Sequence, residues 1–84
     1  MNLLITADER KQEVLSLLKE LSLPYEILEV NKIKIFGKSD IYFEFFETGH
    51  VHVYKFSRHL KRNVRDHKLA SMKAINSYLK EHAI

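Results

Sequence analysis

The chain has no cysteine and no tryptophan, a single proline (Pro24), and two glycines (Gly37 and Gly49). Without cysteine there is no disulfide and no thiolate metal site, so any fold must stand on packing alone. Small secreted domains usually need such staples, so the absence points to a reducing compartment, and the expectation is a cytoplasmic protein. Two isolated glycines leave no glycine-rich phosphate loop. No stretch approaches the roughly 20 apolar residues of a membrane-spanning helix, so no membrane partner is expected. The opening Leu3-Leu4-Ile5 is brief, lacks a basic lead and turns charged at Asp8, which does not read as a signal peptide.

What is present is ordinary globular composition, 45% hydrophobic and 30% charged over 84 residues. That length makes one domain, residues 1–84, able to bury one modest core. A core of that size leaves little room for a deep, dry active site, so no catalytic residues, cofactor or metal are expected and the chain reads as a non-enzyme. His50-Val51-His52 could present two imidazoles on one side of a strand, with Glu44 as the nearest third ligand. Two ligands at that spacing do not specify a metal site.

The elements follow from periodicity. Thr6 and Glu9 have the spacing of a capping box, and Val14, Leu17, Leu18 and Leu21 form one apolar stripe, so a first helix runs from Thr6 toward Pro24. A short strand over residues 2–5 would precede it. Tyr25 to Phe36 is rich in β-branched and aromatic residues, with Ile33 and Ile35 alternating with Lys32 and Lys34, and reads either as two short strands turning at Asn31-Lys32 or as one strand with a bulge. Ile41 to Phe56 reads as a hairpin about Thr48-Gly49. A three-residue turn with Gly49 left-handed gathers Ile41, Phe43, Phe45, Val51 and Val53 on one face. The other face then carries Tyr42, Glu44, Phe46, His50, His52 and Tyr54, with Glu44 opposite His52. A second helix is expected from about residue 64 to 82, with Asn63 as N-cap and Val64, Leu69, Met72, Ile75 and Leu79 as its stripe. The fold class is α+β: helix, three- to four-stranded antiparallel sheet, helix, with both helices on one sheet face.

Charge is unevenly distributed. Arg58 to Lys68 holds five of the fourteen Lys/Arg (Arg58, Lys61, Arg62, Arg65, Lys68) and one of the eleven acids, which leaves nine basic against ten acidic residues elsewhere. A local patch of this kind attracts anions, and the expected helix start beside it would add unpaired N–H groups. The segment therefore points to contact with nucleic-acid phosphates, DNA or RNA, with Lys32, Lys34 and Lys38 as an outlying second patch. The aromatic face of Tyr42, Phe46, His52 and Tyr54 offers either base stacking or a protein interface, including a homodimer. The alternative function is accordingly a small inhibitor or regulator that docks on a larger protein.

The order helix, three strands, helix resembles that of the double-stranded-RNA-binding domain. Lys61-Arg62-Asn63-Val64-Arg65 is similar to that family's Lys-Lys-x-Ala-Lys stretch at the start of its second helix. The resemblance implies duplex RNA as the ligand. The family's Gly-Pro-x-His loop has no counterpart in Gly37-Lys38-Ser39-Asp40.

Overall fold

A computed structural model describes residues 6–57 and 59–84. The elements are α1 (Ala7–Glu20), β1 (Tyr25–Glu29), β2 (Lys32–Phe36), β3 (Asp40–Phe45), β4 (Val51–Ser57), β5 (Arg62–Leu69) and α2 (Met72–His82). The five strands form one antiparallel meander in the order β1-β2-β3-β4-β5. The α+β class holds, with more strands than the three or four expected. The strand anticipated over residues 2–5 lies outside the described residues. No described helix is long and apolar enough to cross a membrane.

Helix α1 starts where local chemistry says it should. The Thr6 hydroxyl accepts the Glu9 N–H at 3.1 Å, and the Glu9 carboxylate accepts the Thr6 N–H at 3.3 Å, so two orphan donors are satisfied reciprocally. It ends four residues before Pro24. The Leu23 N–H reaches the Leu18 carbonyl and the Ser22 N–H the Lys19 carbonyl, closing the helix with Ser22 in the left-handed region at φ 56°.

The strands resolve two open questions. Tyr25 to Phe36 is two strands, turning at Val30-Asn31, one residue earlier than Asn31-Lys32, with a bulge before Glu29. The β3–β4 connection is a three-residue turn: the Gly49 N–H donates to the Phe46 carbonyl, the Phe46 N–H to the His50 carbonyl, and Gly49 is left-handed at φ 83°. Phe43 therefore pairs with Val53, and Phe45 with Val51. These residues are buried, and Val14 and Leu18 of α1 join Ile75, Tyr78 and Leu79 of α2 in one core with that sheet face.

The expectation for the second helix was wrong over its first eight residues. Arg62–Leu69 is strand β5, and α2 begins only at Met72, with Ser71 as N-cap accepting the Ala74 N–H at 3.2 Å. Asn63 caps nothing. Leu69 fits both readings, because it continues the stripe of Met72, Ile75 and Leu79 and also faces Val51 across the sheet. Of the intervening residues, Asn63, Val64, Asp66 and His67 are weak helix formers and only Arg65 is a strong one, and a seven-pair ladder with β4, interrupted by one bulge, outweighs that small preference. This removes the likeness to the double-stranded-RNA-binding domain, since Lys61 to Arg65 lies in a turn and a strand, within a sheet whose described strands alone outnumber that family's three.

Two buried cations of α1 tie the meander down. Arg10 donates from Nε to the Gly49 carbonyl at 3.0 Å and from Nη2 to the Ala70 carbonyl at 3.4 Å, and it pairs with Glu13. Lys11 donates to the Val30 carbonyl at 3.0 Å. Each occupies a turn carbonyl that the sheet ladder leaves unused. At the far end of the helical layer, Gly37 lies against Ala83, and Lys38 donates from its backbone to Ala83 and from Nζ to the Glu81 carbonyl, both near the α2 C-terminus.

Candidate functional site

The helices cover one face of the sheet, and the register defines the other. Directly paired antiparallel residues point to the same side. One row across the open face reads Glu29, Lys32, Glu44, His52, Lys68, and the next reads Glu26, Lys34, Tyr42, Tyr54, Arg65. Glu44 does stand opposite His52. Phe46, just past β3, stacks on His52 with ring centroids 4.2 Å apart. The four aromatic-face residues Tyr42, Phe46, His52 and Tyr54 thus lie together on and beside strands β3 and β4.

This face is concave. A depression of about 460 Å³ has Tyr42, Glu44 and Tyr54 in its lining and reaches from Leu28 and Glu29 on one edge strand to Asn63 on the other.

The middle of the face is electrically satisfied. Lys32 pairs with Glu29 at 3.2 Å and Glu44 at 3.9 Å, and Lys34 with Asp40 at 3.6 Å. The bond to Glu29, with the charges of Glu29 and Glu44, raises the Lys32 pKa above its ordinary value. Burial opposes the charge on Lys34, yet Tyr42 and Asp40 together outweigh it and raise that pKa too. Lys34 also lies 4.9 Å from the Phe36 ring centre and 5.6 Å from that of Tyr42. Tyr54 donates its hydroxyl to Glu44 at 3.1 Å, and burial followed by that bond raises its pKa. The His52 pKa is lowered, first by burial and then by the nearby charges of Arg65 and Lys68, against the opposing pull of Glu44.

The basic segment does not form the single patch that the sequence suggested. Arg65 and Lys68 lie on the open face, in register with Tyr54 and His52. Arg62 pairs with Ser57 on the opposite parity, Lys61 sits in the β4–β5 turn at φ 56°, and Arg58 lies outside the described residues. His67 falls on the helix side, edge-on to Tyr78 with ring centroids 5.3 Å apart. None of the described cations of this segment belongs to α2, which begins at Met72. Lys32 and Lys34 are paired with acids and Lys38 is occupied at the α2 C-terminus, so the outlying second patch is not a set of free cations.

The turn has a geometry of its own. Pairing between β3 and β4 stops at Ile41 and Lys55, whereas β4 and β5 continue through Phe56–Asn63 and Ser57–Arg62. The β4–β5 hairpin therefore overhangs the sheet, and residues 59–63 at its tip are all exposed. The ion pairs among the described residues lie elsewhere, and Lys61, Arg62, Arg65 and Lys68 take part in none of them. Sequence reasoning missed this arm because it led residues 58–63 into a helix expected from about residue 64 rather than into a strand.

Among the described residues, no group of three or more His, Asp or Glu is placed to hold a metal ion. Comparison of the chain with family profiles, with curated proteins and with solved structures gave no match.

Proposed function

We propose that this protein is a small, non-enzymatic nucleic-acid-binding module whose contact element is the β4–β5 hairpin. The supporting observation is the overhang: a two-stranded tip beyond the end of β3, bearing Lys61 and Arg62 without an acid partner among the described residues. A two-stranded ribbon is narrow enough to enter a nucleic-acid groove, and guanidinium and ammonium groups at its end meet phosphates without strand separation. In sequence the tip also includes Arg58 and His59, with no acid between Arg58 and Arg65. The helix-dipole contribution expected from the sequence plays no part, because the helix starts elsewhere.

Binding of labelled duplex and single-stranded nucleic acid, measured over a salt series, tests this reading. Lys61→Gly with Arg62→Gln removes two charges and keeps the turn, since glycine adopts φ 56° without strain. If both residues meet phosphates of a duplex, the slope of log K against log salt becomes shallower by about 1.8. Absence of binding at low salt, or an unchanged slope, refutes the proposal. Co-purification of a protein that survives nuclease treatment, without nucleic acid, would shift the function to docking on an acidic protein surface.

A further inference from the structure

We infer that the open sheet face is a self-complementary interface on which a second copy of this chain docks, about a two-fold axis parallel to the strands. The inference does not depend on the role of the hairpin tip. It comes from the order of charge across the face. Of the two outermost described strands, β1 is acidic on this face, with Glu26 and Glu29, and β5 is basic, with Arg65 and Lys68. Strand β3 lies midway between them.

Rotation about an axis along β3 places β1 of one copy over β5 of the other and leaves each row at its own height. Glu29 then faces Lys68, and Glu26 faces Arg65, each pair occurring twice by symmetry. Tyr42 and Glu44 both come to lie on the axis against their own copies, Glu44 with its charge held by Lys32 and the Tyr54 hydroxyl of its own chain, and Lys34 lies over the Tyr54 ring. Such pairing of one patch with itself is the closed, isologous arrangement of a two-fold dimer. The strands of both copies stay nearly aligned, as in sheet-on-sheet packing.

The charges that need partners are the ones this arrangement supplies. Lys32 and Lys34 already have acids in their own chain, whereas Arg65, Lys68 and Glu26 have none among the described residues. Five strands make a face about 24 Å wide and about 17–20 Å long. Before side-chain relief that is a footprint of roughly 400–500 Å² per copy, below the roughly 800 Å² per partner of a standard interface, so the expected dimer is a weak one. The concavity gives the long side chains of both copies room to interleave. A nucleic-acid strand fits this face poorly, because Glu26, Glu29, Asp40 and Glu44 would repel its phosphates. Both hairpin tips emerge at the same end of the pair, since rotation about the strand direction preserves that direction.

The test is a charge swap followed by sedimentation at tens of micromolar protein and low salt. The wild type should sediment as a dimer. Arg65→Glu/Lys68→Glu and Glu26→Lys/Glu29→Lys should each be monomeric, and their equimolar mixture should again be a dimer, because each copy then meets the opposite charge along both edges. A monomeric wild type, a dimer that persists in either variant, or a mixture that stays monomeric would overturn the inference. If circular dichroism shows that a swapped variant does not fold, Tyr42→Cys decides the matter. In a chain without other cysteines, a short bis-maleimide should link that variant to its own copy and leave a Glu47→Cys control unlinked; equal linking of both refutes the axis. The swap also separates the two proposals: the re-formed dimer keeps Lys61 and Arg62 and should retain the salt-dependent binding assigned to the hairpin.

Discussion

Substituting Gly37 with alanine would test how α2 is held to the sheet. A Cβ on Gly37 would lie 2.6 Å from the Ala83 carbonyl oxygen and 2.8 Å from both the Ala83 Cα and Cβ. Two of these atoms are backbone, so no side chain can swing aside. Relief requires the last turn of α2 to move, and two hydrogen bonds resist that: Lys38 N–H to the Ala83 carbonyl at 2.9 Å and Lys38 Nζ to the Glu81 carbonyl at 3.0 Å. Overpacking of this sort costs about 1–3 kcal/mol. Alanine also restricts the unfolded chain, which offsets about 0.4–1 kcal/mol, and Gly37 is not among the residues with positive φ. The net loss is about 1–2 kcal/mol, or a drop in Tm of roughly 5–15 °C for a domain of this size. Thermal unfolding followed by circular dichroism measures it. Adding Ala83→Gly removes the Cβ contact and leaves the carbonyl contact, so the double variant should recover only part of the loss. A Tm equal to or above wild type for Gly37→Ala would refute the steric argument, and full recovery in the double variant would refute the role assigned to the backbone.

Arg10→Met should lower stability by about 2–3 kcal/mol, because it strips a charged donor from the buried Gly49 carbonyl and the part-buried Ala70 carbonyl, and Arg10→Lys should recover only part of it; a lysine variant as stable as wild type would refute the two-carbonyl clamp. Arg65→Ala with Lys68→Ala should move the His52 titration midpoint upward, toward the ordinary imidazole value of about 6.5. In the wild type the folded-state pKa of His52 is lowered, so the unfolded chain takes up that proton first. Its contribution to stability is therefore full above about pH 6.5 and is lost as pH falls through the lower folded value; the alanine pair should flatten that part of the stability curve. Histidine NMR titration below the concentration of self-association reads the midpoint, and an unmoved midpoint would show that burial alone sets it.

Short-range chemistry determined much of this molecule. Thr6 and Glu9 start a helix because the bonds they form span three residues, and Pro24 ends the same region because of its own ring. Gly49 selects the three-residue turn, and the turn then fixes which aromatic residues of β3 and β4 are buried and which remain on the open face. The count and composition of the cations were visible too. Their placement was not. Leu69 satisfies a helical stripe and a strand register equally well, and only the ladder with β4, whose pairs lie from 5 (Ser57–Arg62) to 18 (Val51–Leu69) residues apart in sequence, decides that Arg62–Leu69 is extended. That single outcome moved the basic residues from a helix start to an overhanging hairpin and an open sheet edge. The tasks of Arg10 and Lys11 were equally hidden, since the carbonyls they reach lie 39, 60 and 19 residues away. Local propensity is written in adjacent residues, whereas the partner of a strand or of a buried cation exists only once the chain has folded back on itself.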